Sequence, residues 1–210
     1  GLDKTILVYD LGGGTFDASL LTLNGDVMEV LASDGDPFLG GSDFDDRLIE
    51  YILMHLERKT TVNLRADPVL LQRVRMACED AKQQLSGTEA VNISIPHLAQ
   101  GPEGPIDVNL TIERSTFEML TDDLLTRTLD IVQKVLDTAG VSSDAIDDVI
   151  MVGGQSRSPR VRQRLVERFG DKLSRKVHPD HAVALGAALL GSASEASSTL
   201  GLTDILSGSI

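Results

Sequence analysis

Two glycine-rich strings, each directly behind an apolar run, constrain this chain more than any other feature. Asp10-Leu11-Gly12-Gly13-Gly14-Thr15-Phe16-Asp17 follows Thr5-Ile6-Leu7-Val8-Tyr9, and Gly153-Gly154-Gln155-Ser156-Arg157-Ser158-Pro159 follows Val149-Ile150-Met151-Val152. A short apolar run bounded by glycine reads as a strand ending in a turn. Three consecutive glycines remove the side chains that hold a backbone away from a ligand, so their N–H groups can wrap a phosphate chain. A second glycine pair opening a helix suits another part of the same nucleotide.

The spacing excludes the commoner nucleotide motifs. The chain has no Gly-x-x-x-x-Gly-Lys-Ser/Thr string, and no Gly-x-Gly-x-x-Gly string opens a helix. What remains is Asp10 before the glycines and Thr15 and Asp17 after them. Carboxylates beside a phosphate cradle make chemical sense when Mg²⁺ lies between, because that cation takes oxygen ligands and keeps its waters. For either string alone, a tight hairpin with glycines chosen for shape is an equal alternative. Two such strings in one chain favour the nucleotide.

Periodicity divides the chain into a split core and an insertion. Residues 5–10, 15–23 and 26–34 predict three strands, the last two joined by Asn24-Gly25 as a type I′ hairpin turn. Past Gly40-Gly41 the period becomes helical: Phe44, Leu48, Ile49, Ile52, Leu53 and Leu56, with Ser42 or Asp43 as cap. Asp67-Pro68 starts a second helix with the apolar seam Leu71, Val74, Cys78, Ala81 and Leu85. Strands are predicted at 91–97 and 106–112, a long helix at 115–139 ended by Gly140, a strand at 148–152 and a helix at 159–169. Asp180 caps a final helix of small residues. The expected organisation is an α/β core from 1–38 and 120–190, an inserted lobe at 39–119, and a Ser-, Gly- and Ala-rich linker-like tail at 191–210.

Beside the seam of the second predicted helix, Arg75, Glu79, Lys82 and Ser86 form one row. Spacing alone favours a solvated face. Cys78, on the seam, reads as a small buried thiol rather than a nucleophile. His55, His97, His178 and His181 are too scattered for a metal set.

Composition narrows the partners. A net charge of −13 argues against nucleic acid, whose phosphates would repel the chain. No apolar run is long enough to span a membrane, and the first residues lack the charged-then-apolar pattern of a signal peptide. A single cysteine fits a cytoplasmic setting. Gly1 in place of Met reads as a cut piece or tag remnant.

Five separated motifs resemble the ATPase domain of the heat shock protein 70 family, DnaK type: Asp10 to Asp17, Leu39-Gly40-Gly41-Ser42-Asp43-Phe44-Asp45, Cys78-Glu79-Asp80-Ala81-Lys82, Val152 to Pro159, and Pro179-Asp180-His181 through Ala188. They run in order over roughly residues 1–190. The resemblance implies an α/β fold, the second lobe of an actin-like (ribonuclease H-like) ATPase with an inserted α+β subdomain. It implies ATP or ADP with Mg²⁺ as cofactors. Gly12, Gly13, Gly14 and Thr15 would cradle the phosphates, and Asp10, Thr15 and Asp17 would form the catalytic set, with Asp10 and Asp17 reaching the metal through water. Glu79, Lys82, Gln83, Ser86, Gly153, Gly154, Gln155, Arg157 and Asp180 would hold the nucleoside.

The family's first lobe, with its catalytic lysine, is expected before Gly1 and its peptide-binding domain after the tail, so this lobe alone is expected not to hydrolyse ATP. Implied partners are a nucleotide exchange factor that opens the inserted lobe about a Gly40-Gly41 hinge, a J-domain co-chaperone, and peptide clients. Three residues depart from the family pattern: Ser42 and His181 replace its usual glutamates, and Gln83 its frequent arginine. Another actin-like or sugar-kinase-like lobe, or a nucleotide-independent interaction module, are the competing functions.

Overall fold

A computed structural model describes residues 3–25, 27–58, 63–174 and 202–203. The chain divides into two compact units, Gly1–Gly41 with Leu125–Ile210, and Ser42–Leu124. Asp180, the final predicted helix, His178, His181 and most of the tail lie outside the described residues.

The first unit is built on a five-stranded sheet. Its members are β1 (Lys4–Leu11), β2 (Phe16–Asn24), β3 (Val27–Asp36), β6 (Asp148–Val152) and the two-residue β7 (Leu202–Thr203), in the order β6-β1-β2-β3-β7. Strands β1 to β3 are an antiparallel meander, while β6 pairs with β1 in parallel. Strict alternation buries Leu7, Tyr9 and Leu11 on one face of β1 and Phe16, Ala18 and Leu20 on β2. Tyr9 stacks at a tilt on Phe16, with ring centroids 4.8 Å apart. Its hydroxyl lies 2.7 Å from Thr128 Oγ1, and because Thr128 donates to the Leu125 carbonyl, Tyr9 is the donor to Thr128. Burial raises the Tyr9 pKa and keeps the phenol neutral.

The turn after β2 comes one residue later than Asn24-Gly25: Asn24 still pairs with Val27, and Gly25 takes the left-handed φ of +62°. Helix α4 (Pro159–Phe169) buries Val161, Leu165 and Phe169. Between β6 and α4 lies a 3₁₀ turn, Gln155–Arg157, so the second glycine pair opens that turn rather than the helix itself.

The second unit holds α1 (Gly41–Glu57), α2 (Pro68–Leu85) and the hairpin β4 (Ala90–Gly101) with β5 (Gly104–Glu113). Helix α3 (Arg114–Ala139) contains the boundary between the units and ends at Gly140, φ +66°, with Val141 N–H on the Leu136 carbonyl. All six apolar residues predicted on α1 are buried. Ser42 and Asp43 fall inside its first turn. Asp67 caps α2 through Val69 and Leu70 N–H, and Pro68 follows at the first position. The buried face of α2 begins at Leu70, not Leu71, because 70, 74, 78, 81 and 85 follow the helical step more closely.

Strand β4 does not stop at Pro96. Proline has no N–H, so the ladder skips from Ile95↔Val108 to Ala99↔Ile106 through a bulge. His97 there takes φ +49°. Its N–H donates to Asp107 Oδ1 at 2.6 Å, and Arg73 donates from α2 to the Pro96 and His97 carbonyls at 2.7 and 2.8 Å.

Candidate functional site

In the first unit the two glycine strings meet. Register pairs Asp10 with Asp17 and Leu11 with Phe16, after which Gly12 N–H closes on the Thr15 carbonyl at 3.0 Å. Gly13 and Gly14 are therefore the tip of a tight hairpin. Three other glycines let backbone press against it. A Cβ on Gly153 would sit 2.3 Å from the Leu11 carbonyl oxygen and 2.7 Å from Asp10 Oδ1. One on Gly40 would lie 2.5 Å from the Gly14 backbone, and one on Gly35 2.5 Å from Asp17 Oδ1. The N–H of Gly41 donates to the Gly12 carbonyl at 2.9 Å. Gly40 is thus a close-packing glycine: a methyl there would strike the loop itself.

Gly13, Gly14 and Gly154 behave differently. A Cβ on any of them would meet no atom of the described residues within 4 Å. None carries a left-handed φ, and Gly154, at φ −65° and ψ −37°, is in helical backbone open to any residue. Nothing among the described residues requires glycine at these three positions.

Asp10 and Asp17 face each other across the β1–β2 ladder on one side of the sheet. Burial, and secondly the charge on Asp17, hold the Asp10 carboxyl above its ordinary value. Like charges directly opposite on antiparallel strands destabilise the pair. Two hard oxygen donors with unrelieved repulsion fit Mg²⁺, which is commonly held by one or two carboxylates, phosphate and water. Among the described residues no group of three His, Cys, Asp or Glu forms an all-protein metal cage. In the second string, Gly154 and Arg157 are exposed while Gln155 and Ser156 are buried, and Ser156 Oγ donates to the Gly153 carbonyl at 2.6 Å.

The α2 row in the second unit splits in two. Arg75, Glu79, Gln83 and Ser86 are exposed. Arg75 pairs with Asp46 at 2.9 Å, with both side chains about half exposed, rather than with Glu79. Lys82 is different: its Nζ lies 2.8 Å from Asp45 Oδ2, with only 14% of the Lys82 and 10% of the Asp45 side chain accessible. Lys82 therefore corrects the reading of this row as a solvated face. The other oxygen, Asp45 Oδ1, is buried and accepts no hydrogen bond. Burial raises the Asp45 pKa even though Lys82 opposes it. Asp45 is the residue whose role sequence reasoning missed. The signal was present, since an acid at 45 lies in the stripe with Leu48 and Ile49. Cys78 is fully buried, and burial followed by the Asp45 charge pushes its thiol up to about 12, which makes it inert.

The described residues make a mixed α/β protein with a glycine-tipped loop beside paired carboxylates. A family model described as Hsp70 protein matches residues 1–210. The chain belongs to the Hsp70 family, and its fold is the actin-like α/β ATPase fold of those chaperones. Family membership carries with it nucleotide binding and work with co-chaperones and clients in general. Among the described residues no helix is long and apolar enough to cross a membrane.

Proposed function

We propose that this chain is the second ATPase lobe of a DnaK-type Hsp70 and grips ATP or ADP with Mg²⁺ in the cycle that drives client binding and release. Gly12 to Thr15 supply N–H groups to the phosphates. Asp10 and Asp17 would hold Mg²⁺ through its waters, and Thr15 would complete the catalytic set. Bound Mg²⁺ would neutralise phosphate charge as it develops in phosphoryl transfer. Glu79, Lys82, Gln83 and Ser86, with Gly153, Gly154, Gln155, Arg157 and Asp180, contact the nucleoside. Full-length partners are a nucleotide exchange factor, a J-domain co-chaperone and peptide clients, in the cytoplasm.

One observation carries this reading. Among the described residues, Gly13, Gly14 and Gly154 have no conformational or packing reason to be glycine, and their missing side chains leave room for a ligand. The test is calorimetric titration of the 210-residue chain with ADP and Mg²⁺. Wild type is expected to bind, and Gly14→Ala to bind at least about tenfold more weakly at an unchanged melting temperature, since one misplaced methyl in a phosphate cradle forfeits hydrogen bonds worth about 1–3 kcal/mol. ATP turnover stays at background, because phosphoryl transfer needs charge positioned from the other lobe as well. A wild-type chain that takes up no ADP favours the nucleotide-independent module instead.

A further inference from the structure

We propose that Asp45 is a positioning residue for nucleoside recognition: from α1 it aims the Lys82 ammonium, so that Lys82 meets the nucleotide in a single fixed orientation. This rests on the nucleoside contact proposed above for Lys82.

The geometry is that of an orienting contact rather than a stabilising one. Asp45 sits in the buried stripe of α1 beside Phe44 and Leu48, and Lys82 lies next to the buried Ala81 on α2. A buried ion pair stabilises only when its remaining polar atoms are satisfied, and apolar replacements of similar volume are often as stable or more so. Here Oδ2 takes the Lys82 Nζ at 2.8 Å while Oδ1 is left buried and unpartnered. The neighbouring Asp46–Arg75 pair joins the same two helices at the surface without that cost. What the buried pair adds is direction. Lysine has a flexible four-carbon stem whose rotamer freedom is lost when the ammonium is held in one place. Anchoring the ammonium on Asp45 fixes the course of the stem and removes that ordering cost from ligand binding. The charged groups acting on the Asp45 carboxylate are Lys82, Glu79 and Arg75, all on α2. Lys82 is the one in hydrogen-bond contact.

The experiment compares ADP affinity, with Mg²⁺, among wild type, Asp45→Asn, Lys82→Met and the double variant, each checked for folding by thermal melting. Asp45→Asn keeps the shape and removes the charge, and we expect about tenfold weaker ADP binding. Because Lys82 is already misdirected, adding Lys82→Met to Asp45→Asn should cost no more than about twofold further. If Lys82→Met alone does not fold, the comparison of Asp45→Asn with the double variant, which carries no buried unpaired carboxylate, still decides. A readout that a merely structural role would not move is the Lys82 ¹³Cε resonance: on adding ADP it should shift in wild type and stay in place in Asp45→Asn. Wild-type affinity in folded Asp45→Asn, or a further tenfold loss in the double variant, overturns the role of Asp45 alone. Absence of ADP binding by wild type overturns the nucleotide reading first, and this role with it.

Discussion

The loop after β1 and the charged row on α2 each carry a proposed nucleotide contact, yet they are built in opposite ways. At the loop tip, no described residue lies where a side chain on Gly13 or Gly14 would go. On α2, Lys82 is bound into the fold through Asp45 before any ligand arrives. A residue type that the surrounding structure fails to explain points outward, toward something absent. One that the structure does explain can serve both purposes, and only separate measurements of stability and affinity divide them.

The largest effect should break the α2 row apart. Lys82→Ala strands the Asp45 carboxylate in a buried site, and breaking a buried pair from one side costs about 3–5 kcal/mol. Glu79→Ala and Ser86→Ala, at exposed positions of the same row, should stay within about 0.5 kcal/mol of wild type. Urea unfolding of the three variants makes the comparison. If Lys82→Ala unfolds at the same urea concentration as Glu79→Ala, the row is uniform after all and the contrast with the loop disappears.

Next in size is a contrast between adjacent glycines. Gly153 combines φ +85° with a Cβ position 2.3 Å from the Leu11 oxygen. Alanine there has to accept a strained backbone and push β1 aside, together about 2–4 kcal/mol. Gly154→Ala should be neutral or stabilising by about 0.4–1 kcal/mol, since its helical backbone suits alanine and the unfolded chain loses freedom. Denaturant midpoints that fall together for both would show that the second string is a shape requirement throughout, and that Gly154 is not held open for a ligand.

Strands and helices were legible where periodicity was strong. Strand β6 appears at its expected bounds, 148–152, and α4 at 159–169, because each is a short apolar pattern closed by glycine or proline. The hairpin of β4 and β5 is longer than its sequence implied, because Pro96 reads as a stop and the Arg73 hydrogen bonds that carry the strand past it come from a helix 23 residues away. Which glycines serve packing and which do not was also illegible. Gly40 and Gly14 look alike in sequence, and only the close approach of one backbone to the other separates their roles. The orphaned oxygen of Asp45 belongs to the same class: the stripe placed the acid inward, but nothing local shows that Lys82 satisfies only half of it.

The smallest effect tests whether the loop's carboxylates wait for a cation. Asp10 is held above its ordinary carboxyl pKa by burial first and Asp17 second. The folded chain therefore binds this proton more tightly than the unfolded chain, and by linkage the Asp10 contribution to stability declines as pH rises from the ordinary carboxyl value through the raised one. Asp10→Asn removes the charge. It should melt slightly higher than wild type near pH 7, with the gain fading as pH falls through the raised carboxyl value toward the ordinary one. Mg²⁺ should raise the melting temperature of wild type and leave Asp10→Asn nearly unmoved, reversing the order of the two at neutral pH. A pH-independent difference would mean that Asp10 acts through its shape and not its charge. A Mg²⁺ response retained in Asp10→Asn would place the cation elsewhere and leave the open glycines of the loop without their proposed counterpart.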